Sequence, residues 1–105
     1  MESRTATKQS LIELIMQARD RLATLGVTHI GLFGSFVRDE QTSSSDIDIL
    51  AEFAPDKHTF DNFMEVSFLL EEILGRNVEV ITPEGLSLHI GPHILKEVER
   101  VSIAE

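Results

Sequence analysis

At 105 residues the chain suits one small domain, residues 1–105, with room for one modest core. Hydrophobic residues make up 42% and charged residues 26%, the balance of a folded globular chain, and the lack of cysteine excludes disulfides and thiolate metal sites. A formal charge of −9, from 9 basic and 18 acidic residues, argues against a nucleic-acid substrate, since binding a phosphate backbone needs a basic surface. No apolar run approaches membrane-spanning length, and the N-terminal residues lack a signal-peptide pattern, so a cytoplasmic protein with no membrane contact is expected.

In chain order, Leu11, Leu14 or Ile15, Ala18, Leu22 and Leu25 recur at helical spacing and predict one amphipathic helix over 6–25, stopped by Gly26. Val27 to Phe33 reads as a strand, and Gly31 inside it marks a close approach by a neighbour. His29 near the strand start reads as structural or exposed more readily than as a ligand. A short helix follows at Phe36-Val37-Arg38, then a polar loop over 41–45. Asp46 to Phe53 is the second strand, ended by Pro55. A second helix is expected over 59–74, with Phe60, Phe63, Met64, Ser67, Leu70 and Leu74 inward, Glu65, Glu71 and Glu72 outward, and Gly75 as its C-cap. Asn77 to Thr82 is a third strand, in which Val78 and Val80 alternate with Glu79 and Ile81. Thr82-Pro83-Glu84 suits a helical turn. Gly91-Pro92 is a turn that separates His89 from His93 and argues against a zinc pair, and 94–103 reads as a last short helix. The expected fold is α/β, a small mixed β-sheet with flanking helices.

The chemistry concentrates in one stretch. Gly34-Ser35 closes the first strand, and ten residues later Asp46 and Asp48 open the second. Residues two apart on a strand share a face, so the two carboxylates stand together, while Ile47, Ile49, Ala51 and Phe53 share the other face. Side-by-side carboxylates repel unless a positive charge sits between them, and oxygen donors suit a hard divalent ion, Mg²⁺ or Mn²⁺. The Gly-Ser turn lets backbone approach a phosphate closely. Arg38 is placed either to meet a triphosphate or to pair with Asp39 or Glu40.

Gly34-Ser35, ten residues, then Asp46-x-Asp48 resembles the signature of the nucleotidyltransferase superfamily related to DNA polymerase β. The small size is similar to its minimal nucleotidyltransferase (MNT) branch. The resemblance implies that Asp46 and Asp48 hold a pair of Mg²⁺ ions, with Mn²⁺ as a substitute, and that Gly34, Ser35, Arg38 and Ser45 bind the nucleotide. It implies a third acidic ligand or base in the third strand. The family usually carries Asp there, in a Val-Asp-Leu-like triplet; this chain has Val78-Glu79-Val80, so Glu79 is the match, one methylene longer. Asp39 stands where the family commonly has Gly. The implied reaction is transfer of AMP from ATP to a hydroxyl, a tyrosine on a partner toxin of the HEPN ribonuclease type, with this chain as antitoxin. The chain has no tyrosine of its own, which excludes self-modification at tyrosine. Two other readings stay open: a non-catalytic antitoxin or scaffold that neutralises by binding, and a small-molecule adenylyltransferase. A homo-oligomer is compatible with either.

Overall fold

The computed structural model describes residues 7–38, 40–42, 45–83, 96 and 98–103. Helix α1, Lys8–Gln17, begins at Thr7, whose hydroxyl accepts from the Ser10 N–H at 3.1 Å while the Ser10 hydroxyl accepts from the Thr7 N–H at 2.9 Å. This reciprocal capping satisfies two donors that a helix start would otherwise leave bare. The expected single helix is divided. Ala18 leaves helical geometry (φ −98°, ψ 13°), and a separate helix α2 runs over Arg19–Thr24. Leu11, Ile15, Ala18 and Leu22 are buried on both sides of the break, and just after it Arg19 Nε donates to the Ile103 carbonyl at 3.0 Å.

Strand β1 spans Val27–Phe33, as its apolar, partly β-branched sequence predicts. The short helix α3, Ser35–Arg38, follows directly, then strand β2, Ile47–Phe53. Pro55–Lys57 forms a 3₁₀ turn that ends β2. Helix α4, Phe60–Leu74, is capped by the Thr59 hydroxyl and terminated by Gly75 at φ 70°. Strand β3 is Val78–Ile81. The inward face of α4 is partly as expected: Leu70 and Leu74 are buried, but Phe60 is 76% exposed, and Val66 and Leu69 complete the buried stripe instead. Apolar residues occur nearly all round this helix, so two stripes fit its periodicity, and contact with the sheet selects between them.

The predicted last helix is also corrected. Glu99–Ser102 is a strand, β4, paired antiparallel to β1 with Val101 opposite Ile30. Valines at 98 and 101 suit either state, but β1 presents a second edge whose N–H and C=O groups need partners, and β4 supplies them. The Thr82–Glu84 turn beyond Pro83, the Gly91-Pro92 turn, the His89/His93 pair and the start of the 94–103 segment lie outside the described residues.

The sheet order is β3-β2-β1-β4, with β1 antiparallel to both neighbours and β2 parallel to β3 across α4. Ile30, Leu32, Ile47, Ile49 and Ala51 face the helices and form one core with Leu11, Ile15, Leu22, Leu69 and Leu70. The second face carries Phe33, Asp48, Leu50, Glu52, Glu79 and Arg100 by the same alternation and register. Arg100 grips Glu52 there with two hydrogen bonds, of 2.7 and 2.9 Å. Among the described residues no helix is long and apolar enough to cross a membrane.

Gly31 tests the corrected strand. A β-carbon at this position would stand 2.5 Å from Val98 Cγ2 and 3.3 Å from Arg100 Cγ, so the close approach read from the sequence comes from the β4 segment. Gly31→Val should destabilise the chain by about 1–3 kcal/mol through overpacking. Urea denaturation measures this; wild-type stability would contradict the β1–β4 pairing.

Candidate active site

The site begins where β1 ends. Gly34 takes φ 78°, a left-handed conformation that favours glycine, and turns the chain into α3. The Val37 and Arg38 N–H groups donate to the Gly34 carbonyl at 3.1 and 3.2 Å, and the Glu40 N–H donates to the Ser35 carbonyl at 2.9 Å. Register then places Phe33 opposite Asp48, and Asp48 opposite Glu79. A β-carbon at residue 34 would collide with Asp48 Oδ2. The Asp48 carboxylate therefore lies across the glycine, with one face open to backbone and the other toward Glu79.

Burial raises the pKa of Asp48 above its ordinary value; the Glu79 and Asp46 carboxylates push the same way, Arg38 pulls it down, and a hydrogen bond to Glu79 favours the protonated form further. Asp48 is half-buried, whereas Asp46 and Glu79 are exposed. Asp46 precedes β2 by one residue and so lies outside its ladder.

Gly34, Asp48 and Glu79 are thus brought together, with Asp46 and Arg38 within electrostatic reach. Ser35 opens α3 and is half-buried. Arg38 Nε pairs with Glu40 at 3.0 Å, one of the two roles read from sequence. The Ser45 hydroxyl accepts from the Thr42 N–H at 2.8 Å, a bond internal to the loop.

Arg76 is the residue that sequence reasoning missed. Its Nη1 donates to the Ser45 carbonyl at 3.0 Å and the Thr42 carbonyl at 3.3 Å, and its guanidinium sits 5.4 Å from the centre of the Phe36 ring. A lone arginine after a helix-ending glycine carries no pattern that points to a loop 31 residues earlier.

Among the described residues no group of three or more His, Asp or Glu side chains is arranged to hold a metal ion outright. The donor set nevertheless fits a hard cation. The candidate ligands, Asp46, Asp48 and Glu79, are all oxygen donors, and the mutual repulsion of the three carboxylates is what a cation among them would relieve. A groove of about 400 Å³ between α2 and α4, lined by Leu25, Phe68 and Leu69, belongs to the helix side of the sheet and not to this site.

A mixed sheet with facing carboxylates on adjacent parallel strands, beside a glycine-serine turn, defines a protein of the nucleotidyl-transfer class. The chain belongs to the nucleotidyltransferase domain family, whose model matches residues 15–102. It is 43% identical over 74 residues to a Methanocaldococcus jannaschii protein provisionally named a protein adenylyltransferase (MJ1379), covering 70% of this chain and 71% of that one. It is 36% identical over 89 residues to the protein adenylyltransferase MntA of Thermococcus cleftensis, covering 83% and 89%. A solved structure described provisionally as a minimal nucleotidyltransferase superposes with a TM-score of 0.69 at 26% identity, over 84% of this chain and 93% of that one. A complex of a tri-AMPylated Shewanella oneidensis HEPN toxin with an MNT antitoxin shares the fold, with a TM-score of 0.53 at 19% identity, over 80% and 68%.

The electrostatics give a pH test. Because the folded state raises the pKa of Asp48, the protonated carboxyl contributes stability that is complete below the ordinary value of 3.8 and is lost as pH rises through the folded-state value. Its charge opposes folding at neutral pH. In chelator, Asp48→Asn should therefore melt higher than wild type at pH 7, with the gain shrinking as pH falls toward 3.8. Thermal melts across that range check this; no gain at pH 7, or a gain that grows in acid, would contradict the electrostatic picture.

Proposed function

We propose that this single domain, residues 1–105, is a protein adenylyltransferase that moves AMP from ATP to a hydroxyl, a tyrosine, on a HEPN-type toxin, and so acts as that toxin's antitoxin in the cytoplasm. The observation that carries the reading is the Asp48 carboxylate, laid across Gly34 and hydrogen-bonded to Glu79 on the next strand. The adenylyltransferase relatives supply the reaction, and the toxin-bound fold relative supplies the class of partner.

Asp46, Asp48 and Glu79 would hold divalent ions, Mg²⁺ or Mn²⁺. When bound, these would neutralise triphosphate charge and make the acceptor hydroxyl easier to deprotonate. The glycine at 34 leaves the backbone of the turn bare, so phosphate oxygens can approach it without meeting a side chain. Ser35 would donate its hydroxyl to a phosphate, and Arg38 would add positive charge beside the departing pyrophosphate. The acceptor oxygen forms a bond to the α-phosphorus as the bond from that phosphorus to its bridging oxygen breaks. The acceptor proton passes to Glu79 or to a water beside it. No protein nucleophile is needed, because positioning and charge do most of the work.

A second reading, neutralisation by binding alone, draws on one feature. Glu79 replaces the usual Asp, and its hydrogen bond to Asp48 engages the carboxyls with each other.

The test is transfer of label from ATP carrying radioactive α-phosphate to a purified HEPN-type toxin. Glu79→Gln should cost about 10²-fold or more, the typical contribution of a general base, and Glu79→Asp should retain transfer. Asp46→Asn should abolish it. A toxin that is neutralised but unlabelled by the wild-type chain would overturn the enzymatic reading in favour of binding alone.

A further inference from the structure

We propose that Arg76 is a positioning residue for nucleotidyl transfer: it locks the loop before β2 to helix α3, and so fixes Asp46 beside Asp48 and the Gly34-Ser35 turn. The role in transfer rests on the function proposed above; the mechanical role does not.

Asp46 presents a mechanical problem. It sits one residue outside β2, so the ladder that fixes Asp48 does not reach it. Before it, the Ser45 N–H donates to the Thr42 carbonyl at 3.1 Å. The Thr42 and Ser45 carbonyls both accept from one nitrogen of Arg76. The same guanidinium rests on the ring of Phe36, which is 2% exposed and belongs to the core. Phe36 follows Ser35 directly and Ser45 precedes Asp46 directly, so a side chain outside the Gly-Ser-x10-Asp-x-Asp pattern touches the residue next to each half of it.

The backbone around Arg76 serves the same end. Gly75 turns the chain at φ 70° out of α4, and the Asn77 carbonyl accepts from the Ile47 N–H at 3.0 Å, the residue after Asp46. The connection from α4 to β3 thus meets the entry to β2 on both sides of Asp46. A planar guanidinium can bind two carbonyls while stacking on a ring; an ammonium of equal charge does not reproduce that geometry. Misplacing a reacting group by about 1 Å costs about 10²-fold in rate, so a loose Asp46 would appear in turnover before it appeared in affinity.

Arg76→Lys retains the charge, and Arg76→Met retains the apolar stem over Phe36. Two readouts decide. Amide hydrogen exchange at Thr42 and Ser45 should accelerate by about tenfold to a hundredfold, the value of hydrogen bonds to a charged group, while Ile30 and Ile49 in the sheet keep wild-type protection. In AMP transfer to the partner toxin, kcat should fall by about 10- to 100-fold with the KM for ATP nearly unchanged. Unchanged exchange at Thr42 and Ser45 in both variants overturns the proposal, as does a lower Tm with undiminished kcat per folded molecule, the signature of a merely structural residue. If Arg76→Met does not fold, Arg76→Lys carries both readouts. If the wild-type chain transfers no AMP, the proposed function fails, and exchange alone then decides whether Arg76 holds the loop.

Discussion

Between β1 and β2 there is no room for a β-carbon at residue 34, because the Asp48 carboxylate occupies that space. The constraint works in both directions. It demands glycine at the turn, where φ is 78°, and it orients a half-buried carboxylate toward the neighbouring strand, where Glu79 meets it. Slipping the β1–β2 register by one residue would move Asp48 to the helix-bearing face and bury a charge in the core, which makes the register strongly specified. The hydrophobic set Ile47, Ile49 and Ala51 enforces the same choice from the other face.

Placing acids on one face opposes folding. Asp48 is desolvated and also repelled by Glu79 and Asp46, and its raised pKa records both effects. The helix side of the sheet, with Leu11, Ile15, Leu22 and Leu70 buried against it, supplies the hydrophobic stabilisation that offsets this. The division of labour is by face. One side of the sheet holds the fold together, and the second side carries charge where a nucleotide and its counter-ions would relieve it. Such local conflict between stability and chemistry is characteristic of functional sites.

The strands that bear the site were legible because their signals are local. Val27 to Phe33 is a largely apolar run, alternation in β2 sets Asp48 against Ile47 and Ile49, and Glu79 was reached through the resemblance to a family that carries a third acid in this strand. Gly26, Gly34 and Gly75 adopt the positive φ angles expected at the turns and caps where they were read. What stayed hidden depends on distant contacts. Ala18 breaks its helix in a sequence of good helix formers, where Arg19 reaches Ile103. Phe60 faces outward because the core takes the neighbouring stripe of α4, Val66, Leu69, Leu70 and Leu74. Glu99–Ser102 is a strand because β1 has an edge to fill. Arg76 lies outside the motif, and its two targets, Thr42 and Ser45, are recognisable only once the chain has folded.

On the proposed function, the Asp48 and Glu79 carboxyls receive the divalent ion of a nucleotide, and the Gly34-Ser35 turn receives its phosphates. A crystal structure of the chain with Mg²⁺ and a non-hydrolysable ATP analogue should then show a divalent ion on the Asp48 carboxylate, the Asp48–Glu79 hydrogen bond broken, and the triphosphate along the Gly34-Ser35 turn. A nucleotide seated in the groove between α2 and α4, or an Asp48 still bonded to Glu79 while metal and triphosphate bind elsewhere, would contradict it.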